Sequence, residues 1–77
     1  MEQKQVRPLS AVSVGETVKL ARIEAGRGLN NRLASMGLVP NVEITVVSSG
    51  RPGPFIISVK DSKMMLGRGI AQKIMVL

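Results

Sequence analysis

Residues 26–42 read Gly26-Arg27-Gly28-Leu29-Asn30-Asn31-Arg32-Leu33-Ala34-Ser35-Met36-Gly37-Leu38-Val39-Pro40-Asn41-Val42, and they decide how the rest of the chain is understood. Leu29, Leu33 and Met36 recur at helical spacing and share one face. Gly37 falls where a helix commonly ends in a left-handed residue, a conformation that glycine adopts cheaply. Pro40 lacks an amide hydrogen and blocks continuation. The segment predicts one short amphipathic helix, opened by a glycine turn, closed at Gly37, with Leu29, Leu33 and Met36 in the core.

The flanking sequence alternates like β-strand. Upstream, Leu9 and Val12 dock from a single turn, and Val14-Gly15-Glu16 turns the chain into a strand over 17–24. Val18 and Leu20 share one face of that strand, but the apolar phase slips at Ala21 and Ile23, which predicts a bulge or bend. Downstream, Val42, Ile44 and Val46 point one way and Glu43, Thr45 and Val47 the other. A Gly/Pro-rich turn over 49–54 leads to a partner strand over 55–60 with Phe55, Ile57 and Val59 inward. A tight turn at Asp61-Ser62 precedes a short strand over 63–66. One helical turn over 70–73 and a last strand, Ile74 and Val76 inward, complete the pattern. About five short strands are too few for a two-sheet sandwich. The expected fold is mainly β: a small SH3-like barrel with one short helix inserted after the first strand and covering an open end.

The chain has 77 residues, enough for one small core. Residues 1–7 read as a flexible arm and 8–77 as the domain. No apolar run is long enough to span a membrane, and the polar start Met1-Glu2-Gln3-Lys4-Gln5 lacks the apolar centre of a signal peptide, so a cytoplasmic location is expected.

The residue inventory narrows the chemistry. There is no Cys and no His, which removes the usual zinc and transition-metal ligand sets and the Ser-His and Cys-His nucleophile pairs. The five acids, Glu2, Glu16, Glu24, Glu43 and Asp61, are dispersed, so no paired-carboxylate site is written in the sequence. The expectation is a non-enzymatic chain with no cofactor and no metal site. A net charge of +6 suits an anionic partner, or else simply a well-solvated surface. The cations form no dense run and Phe55 is the sole aromatic, so nothing resembles a stacking platform for single-stranded nucleic acid.

The ordered set Gly28-Leu29, Arg32-Leu33, Met36-Gly37-Leu38 and Pro40, followed by a β-branched strand, resembles the core signature of the FeoA family of ferrous iron transport proteins. Leu9, Gly15-Glu16, Gly53-Pro54, Met65-Leu66-Gly67, Ala71 and Ile74-Met75-Val76 extend the resemblance over roughly residues 8–77. It departs at Asn41, where the family often has glycine. Asn tolerates left-handed angles, so the turn should survive. The resemblance implies an SH3-like barrel that binds and modulates the cytosolic GTP-binding part of a FeoB-like Fe²⁺ membrane transporter. It also implies kinship with C-terminal domains of iron- and manganese-dependent repressors. A regulatory module of that sort, or a basic barrel binding nucleic acid, is the alternative reading.

Candidate partner-binding residues are those the pattern leaves outside the core. Arg27 and Asn31 point away from the helix's apolar face. Arg32 lies on its flank, where its stem could cross the barrel end and its guanidinium satisfy loop carbonyls. Val47, Ile56, Met65 and Met75 occupy the outward phase of their strands, and several together would make a patch for a partner or a homo-oligomer. Met64 and Met65 should face opposite ways along one strand, which argues against a methionine metal site.

Overall fold

The computed structural model describes residues 5–49 and 53–77. Among these residues six strands, two short helices and a single 3₁₀ turn follow one another: β1 Arg7–Pro8, the 3₁₀ turn Leu9–Ala11, β2 Thr17–Ile23, α1 Arg27–Ser35, β3 Glu43–Ser49, β4 Phe55–Val59, β5 Ser62–Leu66, α2 Arg68–Ala71 and β6 Ile74–Val76. All pairings are antiparallel, and the sheet order is β1-β6-β2-β3-β4-β5. This is a small SH3-like fold whose sheet coils without a hydrogen-bonded seam between its end strands β1 and β5. β1 is two residues long and ends in Pro8, which has no N–H to donate.

β2 is the strand on which the architecture turns. Thr17–Lys19 pair with β3, while Leu20–Ile23 pair with β6, and the register shifts between Leu20 and Arg22. Ala21 is the extra residue, where the sequence pattern slips, and the bulge lets one strand serve both halves of the sheet. Arg7, grouped with the N-terminal arm in the sequence reading, is already in register opposite Val76. Residues 1–4 of that arm and 50–52 of the β3–β4 turn lie outside the described residues.

The alternation predicts the core well. Val42, Ile44 and Val46, then Phe55, Ile57 and Val59, then Ile74 and Val76 are all buried, joined by Leu9, Val12, Val18, Leu20 and Leu66. Several boundaries shift by a residue or two, and two of the shifts have a clear backbone cause or consequence. The β4–β5 turn is Lys60-Asp61, both at positive φ (49° and 68°), so Ser62 begins the strand instead of ending the turn. The second helical turn starts at Arg68, two residues early, and buries Ala71.

The helix requires a correction. Leu33 is buried and Leu29 packs partly against the core, but Met36 is 47% exposed. Met36 is the C-cap, and its backbone has left helical geometry. The Leu38 amide donates to the Leu33 carbonyl (2.9 Å) and the Gly37 amide to the Ala34 carbonyl (3.0 Å), the two bonds of a Schellman ending. Gly37 supplies the required positive φ of 98°. The turn swings the chain back so that Leu38, 1% exposed, takes the core place assigned to Met36. Asn41 adopts φ 74°, as its family position suggests, and its amide donates to the Leu20 carbonyl at 2.7 Å.

Candidate functional site

α1 stands over one end of the sheet, and its two flanks border two different grooves. Asn30 anchors it: the side-chain amide donates to the carbonyls of Ala25 (2.8 Å), Gly26 (3.1 Å) and Ile23 (3.3 Å). One side chain thereby ties the helix start to the end of β2. The sequence reading singled out the neighbouring Asn31 and missed Asn30. The signal was available, since an Asn early in a helix after a glycine turn is well placed to bond nearby carbonyls.

Asn31 lies along the flank facing β2, in a groove of about 270 Å³ shared with Arg22, Ile23, Ala34 and Pro40. The opposite flank borders a groove of about 210 Å³ formed by Leu29, Arg32 and Met36 of α1, Met65 and Leu66 of β5, and Ile70. Met65 is 69% exposed, so two methionines stand open to solvent on either side of this second groove. Methionine's flexible thioether chain adapts to irregular apolar partners. A larger depression of about 530 Å³ between β1, β2 and the chain end has a mixed lining, with Arg7, Lys19 and Glu43 beside Val18 and Leu77.

The sequence-predicted partner residues therefore do not form one site. Arg32 and Met65 share the α1–β5 groove. Ile56 is half-buried and sits directly across the ladder from Met65, adjoining it on the outer face of the sheet. Val47 is the exposed extra residue of a second bulge, between Val46 and Ser48, next to Ile56 in register. Arg27 is exposed at the first helical position, where no acid accompanies it, and Asn31 lies in the other groove. Arg32 is exposed and bonds no carbonyl among the described residues, contrary to the expectation of a bridging role.

Two of the acids are engaged elsewhere. Glu16 accepts from the Arg7 guanidinium and from the Ser13 amide (3.1 Å), and chiefly the arginine bond holds its carboxyl below the usual carboxylate range. Glu24 accepts twice from Arg22, at 2.8 and 3.0 Å. Neither Arg32 nor Lys63 on β5 takes part in an ion pair among the described residues. Those residues also hold no group of three His, Cys, Asp or Glu side chains placed to share a metal ion, and no helix long and apolar enough to cross a membrane.

Comparison with known proteins bears on the family of the whole chain. The model of the FeoA domain matches residues 7–77. A protein of Methanocaldococcus jannaschii, provisionally named Fe(2+) transport protein A, is 44% identical over 69 residues, 90% of this chain and 83% of its own length. The crystal structure of an iron uptake regulatory protein, FeoA, superposes with a TM-score of 0.84 at 36% identity, covering 96% of this chain and 97% of that one. A manganese-dependent transcriptional repressor superposes with a TM-score of 0.86 at 26% identity, covering 99% of this chain but 43% of the repressor.

Proposed function

The chain belongs to the FeoA domain family, and on that premise we propose that it is a non-enzymatic accessory protein of ferrous iron uptake. In this reading it works at the cytosolic face of the membrane, docking on the GTP-binding part of a FeoB-like Fe²⁺ transporter and modulating it. The groove between α1 and β5 is the docking surface. One observation carries the assignment: Met36 and Met65, 47% and 69% exposed, flank an apolar groove rimmed by the unpaired cation Arg32. Exposed apolar surface rimmed by charge is the usual composition of a protein interaction site. Ile56 and Val47 extend this surface over the outer face of β4 and β3, whereas Asn31 lies in the separate groove facing β2 and Arg27 at the helix start.

Titration calorimetry of the chain against the transporter's cytosolic GTP-binding part tests the reading. A saturable complex, weakened at least tenfold by Met65→Asp and left unchanged by Asn31→Ala, is the expected outcome. Absence of a complex, or equal binding by the Met65→Asp chain, overturns it.

The likeness to the repressor supports a second reading, that this barrel regulates by contact within a metal-responsive assembly. Both readings assign the same type of role, a contact module. They separate by partner: a repressor-type module would bind a DNA-binding domain and not the transporter.

A further inference from the structure

The edge strand β5 defines how that docking surface is engaged, and the inference rests on the docking reading above. Lys60 and Asp61 both have positive φ, and Val59 faces Ser62, so β4 and β5 are joined by a two-residue turn of the mirror-image type. In such a hairpin the residues flanking the turn exchange hydrogen bonds, and bonded and non-bonded pairs alternate from there. Val59–Ser62, Ile57–Met64 and Phe55–Leu66 are thus the bonded pairs, and Ser58–Lys63 and Ile56–Met65 the non-bonded ones. The N–H and C=O groups of Lys63 and Met65 consequently point away from β4. Because β5 is the last strand of the sheet, these groups face its free edge. Among the described residues no backbone bond reaches them from elsewhere in the chain.

Free edges are commonly guarded by charge or by brevity. Lys63 guards this one against a second copy, which would bring its own Lys63 and a net charge of +6 to the contact. The same cation favours an acidic strand. Alternation places Lys63 and Met65 on one face of β5, with Arg32 and Met36 across the groove from Met65. We propose that the free edge of β5 takes an extended segment of the transporter's cytosolic part as an added strand. Its acidic residues face Lys63 and Arg32, and an apolar side chain seats between Met36 and Met65. Main-chain bonds give such a contact its affinity and alternate side chains its specificity.

Amide hydrogen exchange of the full chain, followed by NMR with and without the recombinant GTP-binding part of the transporter, is the test. The Lys63 and Met65 amides should exchange freely alone and at least tenfold more slowly in the complex. Met65→Pro removes one edge donor without touching a β4–β5 bond and also takes the Met65 side chain from its seat, so it should weaken binding at least tenfold, more than one backbone hydrogen bond alone, whereas Met65→Leu should not. If the proline chain misfolds, the wild-type exchange pattern decides. A complex that leaves both amides unprotected overturns strand addition while the docking reading stands. No complex overturns both. Protection of the same amides by self-association, without transporter, names a second copy as the occupant and overturns the acidic partner. So does tighter transporter binding by Lys63→Glu.

Discussion

Replacing Gly37 by alanine isolates the one backbone feature that ends the helix and directs Leu38 inward. Gly37 has φ 98°, and an added Cβ would meet nothing within 4 Å. The cost therefore contains no steric contact with the rest of the molecule. It is the local clash of an L-Cβ with its own backbone, about 1–2 kcal/mol. At roughly 4–8 °C per kcal/mol for a domain of this size, the melting temperature should fall about 5–15 °C. Thermal unfolding by far-UV circular dichroism, with urea denaturation alongside, reads both quantities. The chain is short enough for chemical assembly, which permits a sharper control. D-alanine at position 37 has a Cβ of the opposite hand and should be neutral, or stabilising by about 0.4–1 kcal/mol through a less flexible unfolded chain. If L-alanine costs nothing, or if the two enantiomers destabilise equally, the handedness argument is wrong.

Gly28→Ala should have the opposite sign: it lies in α1 with negative φ and open space around it, so stability should rise about 0.5–1 kcal/mol in the same denaturation assay. Leu38→Ala should cost about 2–5 kcal/mol and Met36→Ala under about 0.5, reversing the order the helical periodicity alone would give. Asn30→Ala should cost about 1–2 kcal/mol, because three carbonyls lose their shared donor; amide exchange should show the start of α1 loosening before the sheet. The Glu16 carboxyl is held below its ordinary 4.5, so it favours folding above that pH, and this contribution is lost as pH falls through the depressed value. Glu16→Gln should flatten the acid side of a melting-temperature profile below pH 4.5 and leave its neutral side parallel to the wild type.

Much of the fold is legible in the sequence because strand alternation is a local property. Phe55, Ile57 and Val59 are inward because they alternate with polar or outward residues, whatever lies across from them. The slip at Ala21 likewise shows a bulge without knowledge of its partner strand. The candidate site was legible only in pieces. Arg32 and Met65 were identifiable as outward residues, yet nothing local says that they border the same groove. Leu29, half-buried, is read by periodicity simply as core, and Ile70, in a single helical turn, shows no period that would assign it to the groove.

Sequence alone determined the strand faces, the helix with its glycine stop, and the family. These depend on φ preferences and on periods of two and 3.6 residues, which act over neighbouring positions. Tertiary structure decided the exchange of Met36 for Leu38, because the left-handed turn at Gly37 changes the chain's direction and no helical period continues through it. It also decided which cations are neutralised: Arg7 and Arg22 meet carboxylates, while Arg32 and Lys63 meet none among the described residues. Above all it formed the groove, by bringing residues near 30, 65 and 70 together at the free edge of β5. Such a surface arises from chain closure across long sequence separations, and no local pattern encodes it.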